Sequence, residues 1–329
     1  MYTDSQKGVT VSMKKMKDFG FYRGVNLGGW LSQCDYSRDR LDHFITEKDM
    51  DVIAGWGLDH IRIPMDYNVL ENEDGTLKPE GFDRIGNAIG WAKKRKLKVV
   101  LDLHKTAGFS FDKDEGEGGF FENAIYQERF FRIWEGMART FRDPENVAFE
   151  LLNEVTDKDF IGPWNRIAAE CIRRIRKDAP DTLLLVGSYW NNSPDAVRDL
   201  DDPTDDRVIY NIHCYDPLPF THQGAFWVPQ LDINARVSFD EAGITEQLFE
   251  DRFASAIETA RERGTALYCG EYGVIENATP EDTVRWFRTI HAVFERHEIA
   301  RSVWSYRQMN FGLSDARLDG VRDELIRYL

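Results

Sequence analysis

Short apolar segments recur along this chain, separated by stretches with helical periodicity, and that alternation restricts the fold more than any other feature. The clearest segment is Val147-Ala148-Phe149-Glu150-Leu151-Leu152-Asn153-Glu154, preceded by Pro144. A short run of this kind reads as a strand covered on both faces, the condition of a parallel sheet. Parallel neighbours need a crossover between them, usually a helix. Asn153 and Glu154 leave the run at its C-terminal edge, where parallel α/β folds place their chemistry.

The other strand segments fall at 21–26, 60–64 (closed by Pro64), 99–104, 183–187, 208–213, 266–273 and 302–306. Helical patterns lie between them. Thr46 with Asp49 has the spacing of a capping box, and Gly57 suits a helix C-terminus. Phe82, Ile85, Ile89 and Ala92 recur at helical spacing, followed by a basic run, 93–96, that reads as a solvated helix end. Phe130, Trp134, Met137 and Phe141 mark a helix, as do Ile167, Cys171 and Ile175. Phe253, Ile257 and Ala260 mark another, then Trp286, Ile290 and Phe294, and finally Val321, Leu325 and Ile326. The segment after the sixth strand, about 216–245, has no clean period and is long for a βα connection. It carries Phe220, His222, Phe226 and Trp227 and is expected to cross the barrel mouth. Eight strands, with no linker or low-complexity break, favour a (β/α)8 TIM barrel over a doubly wound sheet, in one domain spanning residues 1–329.

Composition removes several classes of function. Acidic side chains number 57 against 42 basic, a formal net charge of -15, which disfavours nucleic acid as a partner. Without a long apolar run, no membrane span is expected. Cys34, Cys171, Cys214 and Cys269 have neither metal-ligand spacing nor disulfide-scaffold density and read as buried thiols. The N-terminal stretch, 1–17, is polar and shows no signal peptide. That fits a cytoplasmic protein, or a secreted one whose leader has been removed. A monomer is expected, with no cofactor.

On a barrel, residues at the C-terminal ends of strands face one cleft. They are Arg62, His104, Asn153, Glu154, His213, Tyr215, Glu271 and Trp304. Two carboxyls among amide, imidazole, phenol and indole groups suit cleavage of a sugar acetal: one protonates the leaving oxygen, the other attacks or activates water. Arg62 beside Glu271 would favour the ionised form. His213 and Tyr215 alternate onto one face of their strand. Asn153 is placed to hydrogen-bond a sugar hydroxyl, and Trp304 offers a flat apolar face, as do Trp30 and Trp227 unless they are packing residues. His104 is also readable as a core histidine. No His-Glu-x-x-His or paired-cysteine spacing occurs, so no metal is expected.

With these residues in hand, the chain resembles glycoside hydrolase family 5 (cellulase family A), and within it the endo-β-1,4-glucanases. The pieces that carry the resemblance are Arg23-Gly24-Val25-Asn26-Leu27-Gly28-Gly29-Trp30, Arg62-Ile63-Pro64, Leu101-Asp102-Leu103-His104 and Leu152-Asn153-Glu154-Val155, with Ile212-His213-Cys214-Tyr215, Gly270-Glu271-Tyr272-Gly273 and Val303-Trp304-Ser305-Tyr306. The resemblance implies retaining hydrolysis of β-1,4-linked glucan, with Glu154 as general acid/base and Glu271 as nucleophile. It places Arg62, His104, Asn153, His213, Tyr215 and Trp304 around the sugar being cleaved. Exo-β-1,3-glucanase, β-mannanase and xyloglucanase activities are alternatives within the family, and a non-catalytic glycan-binding barrel is the alternative outside it.

Overall fold

Each strand pairs in parallel with the next and the eighth pairs back with the first, so the sheet closes into a barrel. The strands are β1 (Arg23–Asn26), β2 (His60–Asp66), β3 (Lys98–Lys105), β4 (Val147–Glu150), β5 (Leu183–Gly187), β6 (Val208–Cys214), β7 (Leu267–Tyr272) and β8 (Ala300–Val303). The computed structural model describes residues 13–112 and 118–329; residues 1–12 of the polar N-terminal stretch lie outside the described residues. Helices Glu47–Gly55, Pro79–Lys94, Ala124–Thr140, Ile161–Ile175, Glu246–Glu262 and Pro280–His297 follow β1, β2, β3, β4, β6 and β7. After β5 the chain makes only the four-residue turn Tyr189–Asn192 and the 3-10 helix Pro194–Asp199, and the final helix shrinks to Arg322–Leu325. Among the described residues, no helix is long and apolar enough to cross a membrane.

Local chemistry accounts for these boundaries. The Thr46/Asp49 capping box forms, and Gly57 takes a left-handed φ of 76° just beyond the helix it ends. Three tryptophans on the outer helices then fasten to the barrel rim. Trp134 donates to the Leu151 carbonyl at 3.0 Å, Trp164 to Gly187 at 2.9 Å and Trp286 to Asp216 at 2.9 Å.

Several strand limits differ from expectation: β4 ends at Glu150, which leaves Asn153 and Glu154 beyond it, and β2 and β8 differ too. Pro64 does not close β2, which runs on to Asp66. The Arg62 carbonyl accepts from Leu27 on the β1 side, so Pro64, two residues on, faces the same side. The β1 ladder has already ended there, and the missing N–H costs nothing. The eighth strand is Ala300–Val303 rather than 302–306, which puts Trp304 and Tyr306 beyond it. Their backbones still donate to Tyr272 and Asn26, so the indole sits on a tethered turn.

Alternation along the strands sorts the barrel interior into layers. Val100, Ala148, Leu185, Ile209 and Tyr268 form an apolar layer, against which Met16 and Phe21 pack. Two residues further along come Asp102, Glu150 and Asn211, and then His104 and His213. Strict alternation would bring Tyr272 inward after Tyr268 and Gly270, and send Glu271 out. A register shift between β6 and β7 prevents this: Ile212 faces Cys269, but His213 faces Glu271. Gly270 is therefore the extra residue of a bulge, a device that re-aims side chains. Tyr272 turns out against Trp286, Phe287 and Phe294, and Glu271 turns in. A Cβ on Gly270 would lie 2.7 Å from Asn211 Oδ1 and 3.1 Å from His213 Nε2. Gly270→Ala is therefore expected to destabilise the fold by about 1–3 kcal/mol, read by denaturant unfolding, and to lose more activity than a stable fold would explain.

Candidate active site

Arg62 sits fully buried in the polar layer and reaches six side-chain acceptor atoms. Nε and Nη2 grip Glu150 at 2.7 and 2.6 Å, and Nη2 also reaches Asn153 Oδ1 at 2.8 Å and Asp102 Oδ2 at 3.0 Å. Nη1 donates to Asn26 Oδ1 and to Glu271 Oε1, both at 2.8 Å. Burial opposes the guanidinium charge, but Asp102, Glu150 and Glu271 outweigh it and hold Arg62 well above its ordinary basicity. The same burial pushes the Asp102 and Glu150 carboxyls up.

The bulge presents Glu271 above this layer. Its second oxygen, Oε2, accepts from the Tyr215 phenol at 2.9 Å. Burial first, and then the negative charge of Glu271, keep that phenol protonated far above its usual range. Glu154 lies across the cleft, past the end of β4. His213 Nδ1 is 2.7 Å from its Oε1, and Asn191 Nδ2 donates to its Oε2 at 2.6 Å. Burial raises the Glu154 carboxyl above its ordinary value, with the Asn191 hydrogen bond as the largest opposing pull. Carboxylate oxygens of Glu154 and Glu271 and a ring nitrogen of His213 lie within 4.8 Å of one another.

The remaining expected residues divide. His104 is stacked parallel to Trp304, with ring centroids 5.8 Å apart, and its Nδ1 lies 2.6 Å from Asp102 Oδ2. Burial lowers the pKa of His104 and of His213 to about 4, so both imidazoles are neutral near pH 7. Trp304 packs with Ala225, Ile275 and Phe311, and a Cβ on Gly28 would touch its ring at 2.8 Å. Trp227 is farther away: its indole meets His222, whose ring in turn meets Tyr215. Trp30 is a correction. It is 1% exposed within the main core cluster, with its indole N–H on the Leu41 carbonyl at 2.9 Å, and presents no face to a sugar.

Sequence reading missed Asn26, Asp102, Glu150, Asn191, Asn192 and Asn211. The signal for four of them was present. Asn26, Asp102, Glu150 and Asn211 are polar residues inside otherwise apolar strands, and a buried polar group requires partners. Nothing comparable marked Asn191 and Asn192, which lie in a loop.

The barrel, with two carboxyls this close at the ends of β4 and β7, defines the class: a glycoside hydrolase. Residues 16–310 match the family described as Cellulase (glycosyl hydrolase family 5), and the chain belongs to that family. It is 53% identical over 287 residues to cellodextrinase A of Ruminococcus flavefaciens, covering 87% of this chain and 85% of that one. It is 35% identical over 337 residues to endoglucanase C of Acetivibrio thermocellus, covering 94% and 98%. In fold it is like Thermotoga maritima Cel5A, solved with mannotriose, at a TM-score of 0.81 and 24% identity over 95% of this chain and 99% of that one.

Tyr215→Phe removes the phenol donor from Glu271 Oε2 and leaves the Arg62 contact on Oε1 in place. A hydrogen bond to a charged partner is worth about 1.5–3 kcal/mol, so kcat should fall roughly 10- to 100-fold. Steady-state kinetics beside thermal unfolding would check this, with the unfolding midpoint little changed.

Proposed function

We propose that this enzyme hydrolyses internal β-1,4-glucosidic bonds of β-glucans with retention of anomeric configuration, Glu271 acting as nucleophile and Glu154 as general acid/base. The approach of their oxygens to within 4.8 Å carries the reading. Retaining enzymes hold the two carboxyls roughly 5–5.5 Å apart, whereas inverting ones leave about 6.5–9.5 Å for a water. In the first step a Glu271 oxygen attacks the anomeric carbon while Glu154 gives its proton to the departing glycosidic oxygen. The product is a glycosyl ester on Glu271 and a free sugar hydroxyl. In the second step Glu154 takes a proton from water, and the resulting nucleophile attacks the anomeric carbon from the face that the first leaving group vacated, expelling the Glu271 carboxylate, so that two inversions give net retention.

Each partner fits its step. Arg62 and Tyr215 fix both oxygens of Glu271. Burial raises Glu154, which keeps more of it protonated in the resting enzyme. Asn153, held by Arg62, supports a hydroxyl beside the anomeric carbon, and the Trp304–His104 stack supplies a flat wall. The names of the relatives, endoglucanase and cellodextrinase, support the β-1,4-glucan as substrate. A second reading, in which short soluble cellodextrins are the principal substrate, is favoured by the 53% identity with cellodextrinase A.

Glu154→Gln and Glu271→Gln are each expected to lower kcat/KM on β-glucan by at least about a thousandfold, with NMR showing the β-anomer released first by wild type. Wild-type rates in both variants on every β-glucan tried would refute the assignment. A rapid viscosity fall on carboxymethylcellulose, with few reducing ends, separates internal cleavage from a preference for cellodextrins. Activity requires protonated Glu154, so kcat/KM should fall as pH rises through its pKa. Because that pKa is raised, this alkaline limb should lie above the ordinary carboxyl value of 4.5 and vanish in Glu154→Gln.

A further inference from the structure

The loop after β5 breaks a backbone rule three times in succession. Trp190, Asn191 and Asn192 all adopt left-handed conformations, with φ of 53°, 57° and 56°. This region is costly for residues other than glycine, least so for asparagine, and a run of three needs a cause. The contacts supply one. The Asn191 backbone N–H donates to the Val155 carbonyl at 3.0 Å, which ties the loop to the residue after Glu154. Its side-chain amide donates to Glu154 Oε2 at 2.6 Å. Asn192 lies over Gly187, where a Cβ would fall 2.0 Å from its Oδ1, and its Nδ2 is 3.2 Å from His213 Nε2. An amide donating to Nε2 leaves the imidazole proton on Nδ1, facing Glu154 Oε1 at 2.7 Å.

We infer that Asn191 is a positioning residue for the general acid/base: the left-handed triplet exists to hold its amide on Glu154, fixing the carboxyl's orientation and its proton affinity, while Asn192 does the same at one remove through His213. This rests on the assignment of Glu154 made above. An N–H donated to a carboxylate stabilises the ionised form, so Asn191 opposes the effect of burial. The other charged and titratable groups around Glu154 come from β2, β3, β6 and β7 and from the segments just beyond β3 and β6. Arg62, His104 and His213 lie on the basic side. Asp102, Asp112 and Glu271 are acidic, and Tyr215 stays a neutral phenol. None of these is altered by a change at position 191, so a shift on substitution there reports the amide itself.

The test uses two variants and two substrates. Asn191→Gly keeps the left-handed backbone at no steric cost and removes only the amide. Asn191→Asp also tolerates that backbone, but sets a carboxylate against Glu154. Cleavage of cellotetraose expels a sugar alkoxide, a poor leaving group that needs protonation; a 2,4-dinitrophenyl β-cellobioside expels 2,4-dinitrophenolate, which leaves without it. For Asn191→Gly, kcat/KM on cellotetraose is expected to drop roughly tenfold or more, and on the aryl glycoside less than about threefold. The alkaline limb on cellotetraose should move to higher pH in Asn191→Gly and further in Asn191→Asp. Equal losses on both substrates with an unmoved limb would reduce the triplet to scaffolding and overturn the inference, as would unchanged rates and limb. Glu154→Gln runs alongside. Should the wild-type alkaline limb survive in it, the assignment of Glu154 falls, and the role of Asn191 falls with it.

Discussion

The cleft depends on a guanidinium sealed from water. Arg62 is 0% exposed and is surrounded by three carboxyls, so neither it nor they are stable there alone. An isolated buried charge is very unfavourable, and deleting one partner of such a cluster typically costs about 3–5 kcal/mol. A lysine would not substitute. The six contacts use the planar fork of donors, two of them in a side-by-side grip on Glu150. One cation also cannot balance three ionised carboxylates at such range. Burial accordingly drives Asp102 and Glu150 toward the protonated form.

That layer reaches the chemistry by two routes that meet at Gly270. Asn26 takes a hydrogen bond from Arg62 on its Oδ1 and gives one to the Gly270 carbonyl at 2.9 Å. Asn211 gives one to Glu150 at 2.8 Å and accepts the Gly270 N–H at 3.0 Å. Both polar groups of the bulged residue are therefore held by buried amides anchored on the same arginine. The bulge decides which way Glu271 points, so the network below it serves as orientation rather than only as charge balance. Holding reacting groups in place before substrate arrives is where much of an enzyme's rate advantage originates.

Much of this was legible in the sequence, and the remainder was hidden for definite reasons. Period-2 alternation put Val100, Asp102 and His104 on one face, and Ile209, Asn211 and His213 on another. The strand ends gave Glu154 and Glu271. Alternation alone, however, would have sent Glu271 outward from Tyr268, and nothing local in Cys269-Gly270-Glu271 announces a bulge except the glycine. Glu150 was passed over inside an apolar run because its partner, Arg62, lies 88 residues away. Trp190-Asn191-Asn192 has the composition of an ordinary loop, and only tertiary contacts force it left-handed. Trp30 misled because an aromatic beside a glycine turn is equally good packing, and its indole proton found the Leu41 carbonyl. Local rules failed most often next to the two carboxyls, as expected where a fold gives up local preference for function.

The two glutamates are held in opposite ways, and the difference suits the roles proposed for them. Glu271 is gripped by a permanent cation and by a phenol that will not give up its proton, so its surroundings barely change as the cycle proceeds. In the proposed role of general acid/base, Glu154 gains and loses a proton every turnover. Its two close partners are an amide, which cannot ionise, and an imidazole whose pKa is lowered to about 4 and which is therefore neutral. Had the full positive charge sat beside Glu154, the acid would have been locked in its ionised form. Placing the charge beneath the proposed nucleophile and neutral donors beside Glu154 leaves burial free to raise the Glu154 carboxyl, even with Glu271 gripped by a cation and within 4.8 Å of it.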